Sequence, residues 1–391
     1  MAICFFKSVF LLAIMQEKIL HIISFDNPFP PRYGGVIEVF YKIKALHEIG
    51  YKIYLHCFVN VIPNQFSELE QLCESVQFYK NNYNPLLFFS RIPFSVISRS
   101  NKKILEDLNK VHAPILFEGL KTAFFSGNST LKNRLKILRL HNIEQDYFKG
   151  IAKSDNNWIK KILFNSESWK YKRYEKVIHN FQEIITLSKF ENEYITKNFK
   201  KATYIPVFHG NDNVENLDKF GKYAIYHGDL NTADNRNAVK FLVETFKNRK
   251  DYKLLIASDS NEKFVKKLIG KSEFVEFVLL KNFKHLQELL REAHINVIIS
   301  FQKSGTKLKL INSLFNSRFC IINENIIDDE KVACFCEVAM SKTELNSKID
   351  ALIASPYSDY EIRKKSLENY LSDIENAKKI DNLISHSYEK K

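Results

Sequence analysis

The chain has 391 residues, of which 45% are hydrophobic and 26% are charged, and its formal net charge is +13. This length predicts two domains of ordinary size, and this composition is typical of a globular protein with enough apolar side chains for two cores. The positive charge favours an anionic partner, such as a nucleotide-sugar or an acidic lipid surface, although a solvated basic surface would also account for it. No zinc-finger spacing, aromatic RNA-binding motif or arginine-rich tail occurs in the sequence, so we predict no nucleic-acid partner.

The N-terminal residues and the cysteines bear on the location of the chain. Residues 1–14 are apolar, are too short to span a bilayer as a helix and lack a clean small-residue cleavage site. We predict that they are an upstream extension before a start at Met15, with a membrane-surface anchor as the alternative. The cysteines form no Cys-x-x-Cys pair, which predicts free thiols in a reducing, cytoplasmic compartment and no metal site. The cysteines are Cys4, Cys57, Cys73, Cys320, Cys334 and Cys336.

The first half of the sequence alternates between strand and helix patterns. Runs rich in apolar and β-branched residues predict short strands, and apolar positions at the helical period predict helices. The predicted strands are 19–25, 51–59, 114–117, 136–140, 184–187 and 202–206, and the predicted helices are 36–49 and 158–181.

Gly34 and Gly35 separate the first predicted strand from the first predicted helix. A glycine turn at this junction brings backbone N–H groups and the positive helix end to the carboxyl edge of a sheet, where a phosphate group binds well. Tight strand-to-helix turns also use glycine for steric reasons, so the pair alone leaves both interpretations open.

Polar residues follow the strand predicted at 136–140. Arg139, His141, Asn142 and Glu144 lie at or just beyond its carboxyl end, which is where α/β proteins bind their ligands. We therefore predict that these four residues border a ligand cleft, although a histidine in this position is as often structural.

A polar stretch without an apolar period, 209–222, predicts a linker between two domains. Strand and helix patterns alternate again after it, and repeated units of this length predict a parallel sheet with helices on both faces. We predict an α/β protein with two Rossmann-like domains, 1–208 and 223–354, facing a central cleft, and a C-terminal helical segment at 355–391. An apolar stripe in that segment, 367–380, either caps the second domain or crosses back to the first. The strands predicted here are 223–227, 253–257, 274–280, 295–300 and 320–323, and the helices are 235–246, 262–269, 286–293 and 307–315.

The segment 300–310 contains a second candidate phosphate site. A buried strand leads into a turn with Gly305 and Thr306, and the following helix carries Lys307 and Lys309 in its first turn. Amide groups at the helix start and a lysine ammonium would bind a pyrophosphate, although an exposed basic helix start is the simpler interpretation. The spacing differs from that of a Walker P-loop.

The helix predicted at 158–181 combines basic and aromatic residues. This combination predicts contact with an anionic membrane, or else a core helix with one solvated face. The residues concerned are Trp158, Lys160, Lys161, Trp169, Lys170, Lys172 and Arg173.

Several segments, in order along nearly the whole chain, resemble the GT-B glycosyltransferases of family 4, the group often described as glycosyltransferase group 1. They are Pro-Pro-Arg-Tyr-Gly-Gly at 30–35, Arg-Leu-His-Asn-Ile-Glu at 139–144, Tyr-Glu at 174–175, Ile-Pro at 205–206, Tyr-His-Gly-Asp-Leu at 226–230 with Asp-Asn at 234–235, and Gly-Thr-Lys-Leu-Lys-Leu-Ile-Asn at 305–312.

This resemblance implies that the enzyme moves a hexose from a nucleotide-sugar donor to a hydroxyl of a saccharide or lipid-linked acceptor, with retention of configuration and without a metal or cofactor. It further implies that His141 lies beside the donor sugar at the reaction centre. Polysaccharide synthesis at the inner face of a bacterial cell membrane is the implied setting. The implied donor-binding residues are Gly34, Gly35, Gly228, Gly305, Thr306, Lys307, Lys309 and Asn312.

The sequence departs from the family pattern at one signature. The Glu-x7-Glu motif of the family would fall on Ser304 and Asn312, so both carboxylates are missing. Asn312 can still accept a hydrogen bond from a nucleotide ribose through its amide oxygen, but without charge. A non-catalytic GT-B binding protein and a GT-B sugar-nucleotide epimerase therefore remain alternatives to the transferase.

Overall fold

The structure is a computed structural model that describes residues 17–154, 157–302, 308–326 and 328–389. The predicted upstream extension and the turn that holds Ser304, Gly305, Thr306 and Lys307 lie outside these ranges. No helix within them is long and apolar enough to cross a membrane.

The first half of the chain forms a seven-stranded parallel sheet in the order β3-β2-β1-β4-β5-β6-β7. Apolar clusters lie on both of its faces, and this explains why the central strands are mostly apolar. The strand order reverses between β1 and β4, so the loops after these two strands diverge and leave a crevice at their carboxyl ends. The strands are β1 (Ile19–Ser24), β2 (Lys52–Val59), β3 (Ser75–Lys80), β4 (Ile115–Glu118), β5 (Lys136–Leu140), β6 (Glu183–Thr186) and β7 (Thr203–Tyr204).

Helices cover this first sheet. The long helix predicted at 158–181 begins where the Asn157 side chain accepts hydrogen bonds from the N–H groups of Ile159 and Lys160, and it continues from Glu175 as a 3-10 segment. The α-helices are α1 (Gly34–Glu48), α2 (Ser67–Leu72), α3 (Phe94–Ile97), α4 (Lys103–Asn109), α5 (Glu144–Ser154), α6 (Trp158–Tyr174) and α7 (Lys189–Asn198), and the 3-10 segments are Pro85–Phe89, Leu120–Phe125, Ser129–Leu131 and Glu175–Asn180.

The second half forms a six-stranded parallel sheet in the order β10-β9-β8-β11-β12-β13, with its own reversal between β8 and β11. The segment 209–222, which precedes this sheet, carries no helix or strand. The prediction of two parallel-sheet, Rossmann-like halves is confirmed. The elements are β8 (Tyr223–His227), α8 (Ala233–Phe246), β9 (Leu254–Ser258), α9 (Glu262–Ile269), β10 (Val275–Leu279), α10 (Phe283–Glu292), β11 (Ala293–Ile298), α11 (Leu308–Asn316), β12 (Phe319–Ile322), α12 (Glu330–Ala333), β13 (Glu337–Val338) and α13 (Lys342–Ile353).

The C-terminal apolar stripe is divided between two helices, α14 (Tyr360–Tyr370) and α15 (Asp373–Glu389). Leu367 of α14 packs in the second half, in the cluster that contains residues of α11 and β12. Ile380 and Ile384 of α15 pack instead in the first-half core, together with residues of α1 and β2. The crossing back of the C-terminal helix to the first domain, one of the two alternatives for this stripe, is confirmed.

Candidate functional site

A cleft of about 1340 Å³ lies between the two halves. Its walls are formed by the segments that follow β1, β4 and β5 on one side and β8 and β11 on the other. The reversals of strand order, between β1 and β4 and between β8 and β11, therefore open onto the same space. In α/β sheets such reversals are where ligands bind.

The structure brings most of the predicted site residues in its described part to this cleft. Arg139 is the exception, and Gly305, Thr306 and Lys307 lie outside the described residues. The predicted residues that line the cleft are Gly34, Gly35, His141, Asn142, Glu144, Gly228, Lys309 and Asn312.

Helix α1 begins at the first-half wall with an open N-terminus. No side chain caps it, and its first turn holds no acidic residue. A Cβ at Gly35 would lie 2.7 Å from Cζ of Phe25, whose ring packs edge-on against the imidazole of His141 at 5.4 Å between centroids. Gly35 therefore has a steric role at this wall, and the uncapped N–H groups leave an anion-binding role available as well.

His141 has one ring nitrogen in use and one unpartnered. Its Nε2 lies 2.8 Å from Oε2 of Glu118. Because a carboxylate oxygen accepts, Nε2 carries the proton and donates a hydrogen bond to that oxygen. Its Nδ1 is buried and has no hydrogen-bond partner among the described residues. In this tautomer Nδ1 is an acceptor at the cleft wall, where a ligand hydroxyl could supply the missing bond.

Arg139 does not border the cleft, which corrects the prediction for this residue. Its side chain is fully buried, its Nη2 and Nε donate to Oε1 of Glu38 at 2.8 and 3.0 Å, and its other bonds go to backbone carbonyls, including that of Ile205 at 2.9 Å. A guanidinium buried in this way needs a carboxylate and several acceptors around it. Arg139 therefore joins α1 to the carboxyl ends of β6 and β7.

Glu38 and Glu118 belong to one buried charge cluster. Burial tends to raise the pKa of Glu38, but the charges of Lys42 and Arg139 outweigh it and hold that pKa at about 2. Glu38, Glu118 and His141 offer ligand atoms within 4.8 Å of one another, a spacing that a metal ion can use. The Lys42 ammonium, however, contacts the carboxylates of Glu38 and Glu118 at 2.8 and 2.6 Å. The charges of Lys42 and Arg139 therefore already balance those of the two carboxylates. We therefore interpret the cluster as a charge-balanced group that supports His141, and not as a metal site.

The second-half wall is built around Lys309. Its Nζ donates to the hydroxyl of Tyr226 at 3.1 Å and to Oδ1 of Asn235, and it lies 4.8 Å from the centre of the Tyr226 ring. Burial, and next the charge of Lys309, lower the pKa of the neighbouring His227 to about 3. His227 is therefore neutral at physiological pH, and Lys309 is the cation of this wall segment.

The backbone at Ser300 and Phe301, which precedes the segment predicted to form a glycine turn, is held by side chains. Oδ2 of Asp234 accepts a hydrogen bond from the Ser300 hydroxyl at 2.8 Å, and Oδ1 accepts one from the Phe301 N–H at 2.8 Å. The amides of Asn323 and Asn325 both donate to the Ser300 carbonyl, at 2.7 and 2.9 Å. Ser300 and Phe301 are thereby fixed relative to the start of α8.

Asn312 is part of a buried amide network. Its Oδ1 accepts a hydrogen bond from Nδ2 of Asn211 at 2.9 Å, and Oδ1 of Asn211 accepts one from Nδ2 of Asn316 at 2.7 Å. The amide oxygen that was expected to accept from a ribose is therefore already bonded within the protein. That oxygen has a second lone pair, which could still accept a hydrogen bond from a ligand.

No family model matches the chain. A curated relative, the uncharacterized 44.6 kDa protein in the cps region of Klebsiella pneumoniae, is 28% identical over 197 residues. The match covers 48% of this chain and 50% of that protein, so the chain spans about half the length of the curated relative that it matches.

Solved structures match this architecture over nearly the whole chain. A mutant of TarM from S. aureus aligns with a TM-score of 0.67 at 12% identity and covers 94% of this chain and 99% of its own. HepE from Anabaena aligns with a TM-score of 0.60 at 12% identity and covers 96% of this chain and 100% of its own. A glycosyltransferase from Rickettsia africae aligns with a TM-score of 0.59 at 13% identity and covers 95% of this chain and 98% of its own. The chain has the GT-B fold. Sequence identities this low are evidence of a shared fold and not of a shared activity.

The GT-B cleft includes residues that the sequence patterns did not single out. Phe25 follows β1 and Glu118 ends β4, and both line the cleft. Glu118 could have been found, because it is the first polar residue after a predicted buried strand. Glu38 could not, because its i,i+4 spacing to Lys42 is typical of a solvent-exposed ion pair.

Proposed function

We propose that this GT-B chain is a retaining glycosyltransferase that moves a hexose from a nucleoside-diphosphate sugar to a hydroxyl acceptor. One observation carries the proposal: the open start of α1 at Gly34 and Gly35 and the ammonium of Lys309 line the same cleft from opposite halves. Both are groups that bind anions, and a donor with a diphosphate would span the distance between the halves. TarM was solved with UDP and alpha-GlcNAc-glycerol, and HepE with UDP and glucose.

In the proposed reaction the acceptor oxygen forms a bond to the anomeric carbon of the sugar on the face from which the bond to the diphosphate oxygen breaks, so that the configuration is retained. The acceptor hydroxyl proton passes to the departing nucleoside diphosphate. Negative charge develops on that leaving group, and stabilising it is the main electrostatic task of the site. Lys309 supplies a fixed positive charge, and Gly305, Thr306 and Lys307 are proposed to complete the pyrophosphate site.

His141 is proposed to orient the transferred sugar. Its Nδ1 has no partner among the described residues, whereas its Nε2 is held by Glu118. A sugar hydroxyl that donates to Nδ1 would satisfy this buried acceptor and fix the anomeric carbon near the acceptor substrate. Asn142 and Glu144 are proposed to border the acceptor end of the cleft.

We propose that the reaction needs no metal or cofactor and serves polysaccharide or glycolipid synthesis in the bacterial cytoplasm. No Asp-x-Asp motif, the usual cue for a metal-bound diphosphate, occurs in the sequence. The name of the Klebsiella pneumoniae relative, a protein in a cps region, supports the setting.

A donor screen tests the proposal. UDP-, GDP- and ADP-sugars are titrated into the protein by calorimetry and then incubated with it to measure hydrolysis. One donor class should bind and be hydrolysed slowly, and Lys309→Ala should reduce turnover about tenfold or more. Lys266→Ala, which changes an exposed lysine of α9 paired with Glu262, serves as the control and should leave turnover unchanged.

A non-catalytic binding protein is the second candidate. It is favoured by Asn312, which stands where the family has a carboxylate and whose amide oxygen is bonded to Asn211. Donor binding without hydrolysis or transfer would select this candidate. Absence of binding to all three nucleotide classes would overturn the transferase proposal. A product formed from the donor alone, with its sugar isomerised, would indicate an epimerase.

A further inference from the structure

Helix α6 presents an apolar stripe to solvent. Trp158, Ile159, Ile162, Leu163 and Trp169 are 69%, 51%, 59%, 41% and 52% exposed. At about 100° per residue these five side chains fall within a sector of about 140° of the helix surface. A stripe of this width normally faces a protein core. Here it faces solvent, so the alternative of a core helix with one solvated face does not hold for this stripe.

The segment beside α6 extends this apolar surface. In the 3-10 segment Pro85–Phe89, Leu86 is 70% exposed and Phe89 is 87% exposed. The segment is fixed against α6, because Nζ of Lys170 donates to the Phe88 carbonyl at 2.7 Å. The exposed apolar surface therefore belongs to two elements that are joined by this hydrogen bond.

Positive charge surrounds the stripe. Lys160, Lys161, Lys172 and Arg173 are exposed on α6, whereas its acidic residue, Glu167, is buried and bonded to Lys170. A helix with apolar and aromatic residues on one side and lysines around them matches an anionic bilayer surface, where rings and aliphatic chains enter the headgroup region and cations meet lipid phosphates.

The same helix also forms part of the cleft wall. Lys160 and Phe164 of α6 line the cleft, and Tyr147 and Ile151 of α5 line it beside them. We propose that the surface formed by α6 and the segment Pro85–Phe89 docks this chain on an anionic lipid bilayer, so that the cleft opens at the headgroups and receives an acceptor carried by a lipid. The lipid-borne acceptor rests on the proposed transferase function, whereas the docking does not.

Vesicle co-sedimentation of the full chain tests the docking. Vesicles contain phosphatidylcholine alone or with about one third phosphatidylglycerol. We expect binding to the anionic vesicles that weakens as salt is added, because lysine contacts with lipid phosphates are screened. Trp158→Ser combined with Ile162→Ser should lower the partition coefficient about tenfold or more. Ile362→Ser is the matched control, since Ile362 of α14 is 65% exposed and lies outside the docking surface.

Charge-reversal variants separate the electrostatic contribution to vesicle binding from the apolar contribution. Lys161→Glu combined with Lys172→Glu should lower binding to anionic vesicles about tenfold, whereas Lys266→Glu on α9 should not. Equal, negligible binding of the parent protein to both vesicle types would overturn the proposal. So would sedimentation velocity showing a dimer that the Trp158 and Ile162 changes dissociate, because the surface would then bind a second copy. Nucleotide-sugar binding, measured on the same samples, reports on the proposed function separately.

Discussion

The side chain of Lys309 fills the space beside Gly228: a Cβ at residue 228 would lie 2.8 Å from both Cε and Nζ of Lys309. The glycine follows β8, and the lysine lies in the first turn of α11. Because the clash involves the end of a flexible side chain, the lysine can move away at little cost to the fold. The absence of a side chain at residue 228 is therefore what allows the ammonium to reach Asn235 and Tyr226.

We expect Gly228→Ala to weaken donor binding about three- to tenfold while leaving thermal stability nearly unchanged. The displaced ammonium would lose its bond to Asn235 and its position in the cleft. Calorimetry with the donor and thermal melts measure the two quantities. In a Lys309→Ala background the same change should have no further effect on binding. A full additional loss in that background would show that Gly228 acts through another group.

Glu118→Gln should change the tautomer of His141. The Lys42 ammonium lies 2.6 Å from Oε1 of Glu118, so the amide oxygen of a glutamine would face Lys42 and its NH₂ would face Nε2 of the imidazole. Nε2 must then accept, and the proton moves to Nδ1. Nδ1 would no longer accept a bond from a sugar hydroxyl, and we expect turnover to fall about tenfold or more.

Nitrogen-15 NMR of the histidine rings observes this tautomer directly. The imidazole of His141 should carry its proton on Nε2 in the parent protein and on Nδ1 in the variant. A variant with the proton on Nδ1 and unchanged turnover would remove His141 from the proposed reaction. A variant with the proton still on Nε2 would contradict the hydrogen-bond assignment at Glu118.

Glu175→Gln should stabilise the protein at alkaline pH and not at acidic pH. Burial raises the pKa of Glu175 from 4.5 to about 7, although its bond from the Tyr194 hydroxyl opposes this. The native state therefore binds the proton more tightly than the unfolded state, and the unfolding free energy falls as pH rises from about 4.5 through about 7. Glutamine still accepts from Tyr194 and does not ionise, so the variant should gain about 3 kcal/mol at pH 8.

Urea denaturation near pH 5 and pH 8 measures this difference. Glu193→Gln, which changes an exposed carboxylate on α7, is the control and should give the same small effect at both values of pH. An equal gain for Glu175→Gln near pH 5 and at pH 8 would mean that the effect does not come from ionisation.

Ile380→Ala should destabilise the chain even though Ile380 lies far along the sequence from the core that it enters. The side chain is 0% exposed in the first-half cluster, together with Val39 and Ile43 of α1. Truncating an isoleucine in such a place costs about 2 to 5 kcal/mol. Ile362→Ala on α14, where the side chain is 65% exposed, should cost less than about 0.5 kcal/mol by urea denaturation. Similar costs for both variants would contradict the docking of α15 on the first half.

Much of the fold could be predicted because its strands are buried and short. Lys136–Leu140 and Tyr223–His227 were predicted residue for residue, since a central parallel strand is a short, mostly apolar run bounded by polar residues. Of the four edge strands, Ser75–Lys80 and Glu337–Val338 were missed, whereas the strands at 203–204 and 275–279 were predicted. An edge strand has a neighbour on one side only and is half solvated, so its sequence carries less of this signal.

The location of the candidate site could be predicted from the sequence, but the hydrogen-bond partners of its residues could be predicted less well. Glycines and polar residues at strand ends indicated where the cleft lies, because that relation is local in sequence. The role of Arg139 could not be predicted, since its carboxylate partner, Glu38, is 101 residues away and approaches only when α1 packs on the sheet. For Asn312 the amide oxygen is occupied by Asn211, which is likewise 101 residues away.

The position of α15 has a consequence for the order in which the chain folds during synthesis. Ala377, Ile380 and Ile384 complete the core beneath α1, the helix whose start forms one wall of the cleft. The core of the first half is therefore completed only after the second half has been translated. Until α15 emerges from the ribosome, the apolar surface that it covers on the first half stays open to water and to other chains.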